Sequence, residues 1–166
     1  MGVRCAGSIG GSLMNLEGGT PMAAKALDHI GMVVRDCEAT ANRIAEILRL
    51  TVEHTEDYGA GLITIAFIPV GAGPQGPKIE LLQPNRSGSS AWEFLHRYGE
   101  GIEHIAFLVD DVTVELARLR ATVPLRDQKA RPGAGGMEIG FLDPLAITGM
   151  YVELVSPISP LPSERA

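Results

Sequence analysis

Residues 28–36 read DHIGMVVRD, and residues 103–111, which begin 75 positions later, read EHIAFLVDD. A second pair of stretches follows in the same order, since residues 79–84 read IELLQP and residues 152–157 read VELVSP. Two matched pairs at nearly the same offset indicate an internal repeat, which is the first pattern to look for in an unknown chain. The chain is therefore predicted to contain two copies of one unit of about 55 residues.

Each copy is predicted to fold as a βαβββ unit. A strand is followed by an aspartate suited to cap a helix, by apolar residues at helical spacing, and then by strand-like segments. Glycine and proline clusters at 71–77 and 132–136 are interpreted as turns between strands. The predicted strands are 28–34, 51–56, 62–70, 78–82, 103–109, 137–142 and 151–155, and the predicted helices are 37–50, 89–98 and 112–122. The expected fold class is α+β, with two tandem βαβββ units.

The division of the chain follows from the same pattern. One domain is expected over about residues 23–157, with unit one at about 27–84, a linking helix at about 89–98 and unit two at about 102–157. Residues 1–22 are rich in glycine and serine, and residues 158–166 contain prolines. Both ends lack hydrophobic periodicity, so they are predicted to be a disordered extension and a disordered tail.

Composition excludes several classes of function. The net charge is −6 and there is no run of lysine or arginine, so a nucleic-acid-binding surface is not expected. No apolar run approaches the roughly 18 residues that span a bilayer, so no membrane partner is expected. The two cysteines, Cys5 and Cys37, are too few and too far apart for a zinc ribbon or a disulfide framework. These features predict a soluble protein of the cytoplasm, and they leave a small anionic substrate open.

Both copies keep a histidine near the start of the first strand and a glutamate near the end of the last strand. These residues are His29, Glu80, His104 and Glu153. Side chains two apart share one face of a strand, so each histidine lies beside a small residue, Gly31 or Ala106. If the two units pair their sheets about a pseudo-twofold axis, the four side chains converge. Two imidazoles and two carboxylates suit a divalent transition metal with open positions, and we predict these four residues as its ligands.

Three other residues whose side chains could ligate a metal or act as a nucleophile are interpreted as structural. His54 and His96 have no counterpart in the other copy, so both are expected at the surface. Cys37 stands near the start of the first helix without a repeated partner or a neighbouring base. It is therefore interpreted as a small residue that fills space in the helix and not as a nucleophile.

Paired βαβββ units with the order His, Glu, His, Glu resemble the vicinal oxygen chelate superfamily, and within it most closely the methylmalonyl-CoA epimerases. The resemblance rests on residues 29–36, 78–84, 99–107, 133–136, 141–144 and 148–154. The stretch GEGIEHIAF at 99–107 is its most specific part. The resemblance implies the same four ligands and a divalent metal, which could be cobalt, zinc, nickel, manganese or iron. It also implies an acyl-CoA or similar substrate and a homodimer.

The expected reaction is epimerisation of a 2-substituted malonyl-CoA. Two oxygens of such a substrate can chelate the metal, which stabilises the enolate formed when the carbon between them loses its proton. Glu153 or Glu80 is expected to act as the base, and a group on the opposite face returns the proton. Epimerases of this family usually carry a glutamate before the third strand, where this chain reads YGAGL at 58–62. Glu56 and Asp57 are the nearest substitutes, several residues away, and Glu56 is taken as the candidate.

Other activities of the same scaffold stay open at this point. A glyoxalase I-like isomerase or lyase acting on a small oxygen-chelating substrate is the main alternative, and glutamate at position 80 also resembles glyoxalase I. A ring-cleaving dioxygenase fits less well, because a fourth ligand would close a position that oxygen or substrate needs. A non-catalytic ligand-binding module is the third class, although such modules generally lack the four ligands.

Overall fold

The computed structural model describes residues 24–71, 76–147 and 149–158, and within these residues eight strands form one mixed sheet with three helices. The strands are β1 (Ala26–Val33), β2 (His54–Tyr58), β3 (Ile63–Pro69), β4 (Lys78–Pro84), β5 (Gly101–Leu108), β6 (Arg131–Pro132), β7 (Met137–Leu142) and β8 (Tyr151–Pro157). The helices are α1 (Cys37–Leu48), α2 (Ser90–Tyr98) and α3 (Val112–Leu119). The strand order is β2-β3-β4-β1-β5-β8-β7-β6.

The two units meet along the centre of this sheet. Strand β1 pairs antiparallel with β5, while β1 is parallel to β4 and β5 is parallel to β8. The arrangement of β1 to β4 is thus repeated by β5 to β8, which confirms two tandem βαβββ units in an α+β fold. The sheet curls into a half-barrel whose concave face can enclose a ligand.

Helices α1 and α3 cover the outer face of the sheet at equivalent places. In unit one, Ala41 of α1 packs with Ala66 and Leu81 of the sheet. In unit two, Leu116 of α3 packs with Leu154 of β8. Asp36 and Asp111 each cap the following helix by accepting a hydrogen bond from a backbone N–H three residues later, as the sequence predicted. Helix α2 packs through Ala91 and Leu95 against a cluster of sheet residues that includes Phe67.

Several predicted bounds were wrong. Helix α1 ends at Leu48 and not at residue 50, because Arg49 adopts a left-handed conformation (φ 56°) that terminates the helix. Helix α3 ends at Leu119 and not at residue 122. Strand β2 lies at His54–Tyr58, about three residues later than predicted. The segment predicted as a turn at 132–136 begins with the short strand β6, and a single 3-10 turn follows at Ala134–Gly136.

Parts of the sequence-based division lie outside the described residues. These are the predicted extension at 1–22, the tail from residue 159 onward and residues 72–75 of one predicted turn. Among the described residues, none of the helices has the length and apolar character needed to cross a membrane.

Candidate metal centre and its cavity

Strands β1 and β5 each carry an irregularity immediately before the predicted histidine. The register between them shifts at Asp28 and again at Glu103, so each of these residues is an extra residue in its strand. In a regular strand, neighbouring side chains point to opposite faces, but a bulge lets an extra residue turn to the side of its neighbour. Asp28 and Glu103 accordingly line the same cavity as His29 and His104.

Each of these carboxylates contacts the imidazole that follows it. Nδ1 of His29 lies 2.9 Å from an oxygen of Asp28, and Nδ1 of His104 lies 2.8 Å from an oxygen of Glu103. When Nδ1 donates its proton to a carboxylate, Nε2 of a neutral imidazole is left as an acceptor that can bind a metal. Both histidines therefore direct their Nε2 atoms toward the middle of the sheet.

The two Nε2 atoms meet at Glu153. They lie 3.0 Å from each other, and Oε2 of Glu153 is 3.0 Å from Nε2 of His29 and 3.3 Å from Nε2 of His104. All three side chains are buried, and their donor atoms lie within 4.8 Å of one another. The structure thus brings three of the four predicted ligands to one point.

Glu80 is placed differently from Glu153. Its Oε1 lies 3.4 Å from Nδ1 of His29, beside Asp28, so it faces the other nitrogen of that ring. Glu80 is also buried and lines the same cavity. The sequence predicted convergence of four donors on one point, and in the structure the fourth donor lies next to that point.

A glycine makes room for one of the two imidazoles. A Cβ atom on Gly31 would lie 2.1 Å from Cε1 of His104, far inside the contact distance of two carbon atoms. The close approach of the ring to the backbone therefore requires glycine at this position. In the register of β1 and β5, Gly31 stands opposite His104, and Ala106 stands opposite His29.

The charges in the centre shift the pKa values of its groups. Burial lowers the pKa of His29, but its contacts with Asp28 and Glu153 and the nearby charge of Glu80 outweigh burial and raise the pKa to about 10. The hydrogen bond from His29 holds the pKa of Asp28 below its usual value. Burial raises the pKa of Glu80.

The donor set fits a divalent transition metal. Two imidazole nitrogens and one or two carboxylate oxygens are the usual ligands of zinc and of its first-row neighbours. Buried ionisable groups in mutual contact are costly unless they are paired or hold an ion. Here they are drawn from four strands, β1, β4, β5 and β8, and face one another at the centre of the concave surface.

A cavity of about 200 Å³ lies over this centre. Its walls are mainly apolar and come from both units, with Ile65 and Phe67 on one side and Ile139 and Phe141 on the other. Arg131 is one of the basic residues of the wall, and its guanidinium stands over the ring of Phe141. A concave, mostly apolar space beside a polar centre is typical of a small-molecule site.

The two edge strands of the sheet meet across this cavity. The hydroxyl of Tyr58 in β2 donates a hydrogen bond of 2.9 Å to the carbonyl of Pro132 in β6 and accepts one of 3.1 Å from Arg131. Glu56 accepts a 2.8 Å hydrogen bond from the backbone N–H of Gly135. We call these contacts the edge closure. Glu56, predicted as a substitute base, is engaged here and is not among the residues that line the cavity.

The three residues interpreted as structural have different surroundings. His96 is exposed and stacks on Trp92, as expected for a surface residue. His54 is exposed too, but its ring stacks on Phe67 and lines the mouth of the cavity, a position that the sequence did not indicate. Cys37 is buried, and burial raises the pKa of its thiol to about 11, which agrees with a packing role.

Similar proteins include enzymes and proteins without an assigned activity. The uncharacterized protein YqjC of Bacillus subtilis is 33% identical over 132 residues, which cover 79% of this chain and 91% of that protein. The ethylmalonyl-CoA/methylmalonyl-CoA epimerase of Cereibacter sphaeroides is 32% identical over 131 residues, covering 77% and 95% of the two chains. A solved structure of a variant methylmalonyl-CoA epimerase of Streptomyces coelicolor, in complex with 2-nitronate-propionyl-CoA, has a TM-score of 0.74 and 30% identity. It covers 81% of this chain and 95% of that chain.

The family assignment rests on the sequence profile of a large group of proteins. That profile matches residues 28–141, which contain three of the four predicted ligands and both units up to β7. The chain belongs to the Glyoxalase/Bleomycin resistance protein/Dioxygenase superfamily.

Proposed function

We propose that the chain is a metal-dependent epimerase of a 2-substituted malonyl-CoA. The observation that carries the proposal is the meeting of His29 Nε2, His104 Nε2 and the Glu153 carboxylate in a largely apolar cavity. The similarity to epimerases of ethylmalonyl-CoA and methylmalonyl-CoA supports this class of substrate.

His29, His104 and Glu153 would hold the metal, and Glu80 would be the fourth ligand or would remain beside it. A divalent metal bound there supplies Lewis-acid stabilisation of the negative charge that develops on the two chelating oxygens of the substrate. The acid partners accept the Nδ1 proton of each histidine, so Nε2 is the nitrogen of each ring that would bind the metal once any proton on it has been displaced.

The two glutamates are suited to move the proton at C2 of the substrate. Glu153 and Glu80 come from equivalent strands of the two units, β8 and β4, and both contact His29 from different sides. We propose that one of them removes the proton and the other returns it on the opposite face. The apolar walls accommodate the substituent at C2 and exclude water from the reacting carbon.

A glyoxalase I-like isomerase is the second candidate. The acids that line the cavity are Asp28, Glu80, Glu103 and Glu153, and all four contact a histidine of the centre. The wall formed by β3 instead presents Ile63, Ile65 and Phe67. In the described part of the chain, proton transfer therefore falls to the pair Glu80 and Glu153, which suits an isomerisation in which a proton moves between two carbons of one substrate.

The experiment that tests the proposal is solvent exchange. We expect methylmalonyl-CoA incubated in D₂O with metal-loaded protein to acquire deuterium at C2 faster than the spontaneous background. Glu153→Gln should slow this exchange by about 10² or more, the size of a general-base contribution. Metal content must be measured in the same variant, because Glu153 is also a proposed ligand. Absence of exchange in fully loaded wild-type protein would reject this substrate and favour the glyoxalase I-like candidate.

Two variants refine the assignment of the bases. Glu80→Gln should slow exchange while retaining more metal than Glu153→Gln, because Glu80 lies on the Nδ1 side of His29. Glu56→Gln should have a much smaller effect, since Glu56 is held by Gly135 in the edge closure. A loss with Glu56→Gln as large as that with Glu153→Gln would place Glu56 at the reacting carbon. Glu93→Gln, on the exposed face of α2, is the control.

Two broader features of the proposal rest on the family resemblance. We propose that the protein is a homodimer that acts in the cytoplasm. Light scattering of the purified protein tests the first of these, and a mass of one chain would contradict it. Neither feature is needed for the metal centre, because all four predicted ligands come from one chain.

A further inference from the structure

The acids that stand behind the two histidines occupy equivalent places in the two units. Asp28 and Glu103 are each the extra residue of a bulge, each directly precedes a histidine, and each contacts Nδ1 of that histidine. We propose that Asp28 and Glu103 are positioning residues of the metal centre, which hold the two rings so that both Nε2 atoms face the metal. This inference rests on the metal centre proposed above.

The surroundings of the two carboxylates support this role. The side chain of Asp28 is 16% exposed and that of Glu103 is 3% exposed, so water competes little for either contact. A cation accompanies Asp28, since Nζ of Lys78 lies 3.8 Å from its carboxylate. Each histidine therefore has a largely buried carboxylate behind its Nδ1 atom.

Packing alone does not explain the two acids. A buried carboxylate is costly unless its hydrogen bonds offset the loss of water, and a bulge interrupts the ladder of the sheet. The side chain of Glu103 is only 3% exposed, and the 2.8 Å contact of its Oε2 with Nδ1 of His104 compensates part of the cost of that burial. An apolar residue in a regular strand could be buried at either position without the free-energy cost of desolvating a carboxylate.

The physical effect of the acids is on the orientation of the rings. A histidine without an acceptor at Nδ1 is free to adopt the other tautomer or to turn about χ2, and either change withdraws Nε2 from the centre. Loss of such an outer partner typically weakens metal binding by about 10 to 100-fold. In a regular strand the acid and the histidine after it would point to opposite faces of the sheet. The bulge places both on the concave face, where the acid can hold the ring of the proposed ligand.

The test compares truncation with near-isosteric replacement. We expect Asp28→Ala and Glu103→Ala each to weaken Zn²⁺ and Co²⁺ binding by about 10 to 100-fold in chelator competition. Asp28→Asn and Glu103→Gln retain a carbonyl oxygen that accepts the Nδ1 proton, so they should recover most of the affinity and the Co²⁺ absorption spectrum of the wild type. Glu93→Ala is the control and should bind as the wild type does.

The outcomes separate this inference from the metal centre itself. If both alanine variants bind metal as tightly as the wild type while His104→Ala loses binding, the positioning role is wrong and the centre stands. If His104→Ala binds as the wild type does, the centre itself is wrong. If the asparagine and glutamine variants bind metal as weakly as the alanine variants, the acids contribute through their charge and not by orienting the rings. That result also overturns the inference.

A second measurement does not depend on the folding of any variant. Long-range ¹H–¹⁵N spectra of the Zn²⁺-loaded wild-type protein report which nitrogen of each ring carries the proton. We expect a protonated Nδ1 and a metal-bound Nε2 for both His29 and His104. A protonated Nε2 on either ring would overturn the proposal for that unit.

Discussion

Unit one and unit two place their glutamates differently around the same pair of histidines. Glu153 of unit two lies within 3.3 Å of Nε2 of both rings, whereas Glu80 of unit one contacts Nδ1 of His29. The strand register is equivalent, since Glu153 pairs with Ala106 and Glu80 pairs with Gly31. The difference therefore arises from the placement of side chains and not from the pairing of strands. A sequence repeat thus fixes residue types and registers, but it does not make two carboxylates equal ligands.

The residues opposite the histidines differ as well. His104 covers the backbone of Gly31 so closely that no Cβ fits, while Ala106 stands opposite His29 and is completely buried. The His104 ring thus lies so close to the backbone of β1 that the residue opposite it must be glycine, whereas the residue opposite His29 is alanine. The two halves share a pattern of a histidine opposite a small residue, but only position 31 tolerates no side chain.

The largest expected effect is on metal affinity, and it comes from replacing Gly31, the small residue opposite His104. In Gly31→Ala, the new Cβ would lie 2.1 Å from the His104 ring, so the ring must move away from the centre. We expect metal affinity to fall by more than about 100-fold, beyond the loss for an outer partner. The free energy of unfolding should fall by about 1 to 3 kcal/mol, as for an overpacked core. Chelator competition and urea denaturation measure the two effects.

Ala106→Gly is the matched control for that change. It removes a buried methyl at the equivalent position, so we expect a loss of about 1 to 2 kcal/mol in unfolding free energy with metal binding retained. Wild-type metal affinity in Gly31→Ala would show that the position of the His104 ring is not needed for the centre.

The second effect is a pH dependence that originates in unit one. The pKa of His29 in the metal-free chain is raised to about 10, so the ring carries a proton at neutral pH that metal binding must release. We expect the Kd for the metal to rise about tenfold for each pH unit below about 9. A Kd that does not change between about pH 7 and 9 would contradict the displacement of this proton.

The same group affects the stability of the metal-free chain. Because the pKa of folded His29 lies above the ordinary value of 6.5, its contribution is fully present below about pH 6.5 and is lost as the pH rises through about 10. The unfolding free energy of the metal-free chain should therefore decline from about pH 7 to pH 10. His29→Gln should remove this decline, and urea denaturation at several pH values measures it.

The smallest effect concerns the edge closure. Tyr58→Phe removes two hydrogen bonds of the hydroxyl, to Pro132 and from Arg131, at a partly exposed position. We expect the free energy of unfolding to fall by about 1 kcal/mol, because each bond contributes less at this partly exposed position than the usual net value of about 1 kcal/mol. Tyr98→Phe is the control, since Tyr98 is exposed and its hydroxyl has no hydrogen bond among the described residues. Equal effects of the two changes would show that the closure adds nothing to stability.

The repeat predicted the fold and the residue types of the centre, but it did not predict how they are arranged. Neighbouring residues of a strand are expected on opposite faces, so Asp28 and Glu103 were not recognised as partners of the histidines. A signal for them was present, because an acid directly precedes the histidine in both copies. The two bulges that turn these acids toward the cavity depend on the pairing of β1 with β5, which no local pattern specifies.

Other differences between expectation and structure have the same origin. The proximity of Glu56 to Gly135 joins residues 79 positions apart in sequence, and it depends on the curl of the whole sheet. The short strand β6 also arises from long-range pairing, because Arg131 and Pro132 align with β7 in a segment whose composition is typical of a turn. Local patterns located the helices to within a few residues, since their caps and periodicity are local properties.

The edge closure has a consequence for the colloidal behaviour of the protein. An exposed edge strand is a template on which another chain can add a strand, and this is a common route to aggregation. Here the two edges of an eight-stranded sheet, β2 and β6, face one another through Tyr58, Glu56 and their partners. Any ligand that enters by separating these edges exposes them for as long as the passage is open. Faster exchange of ligand through that route therefore carries a greater risk of self-association.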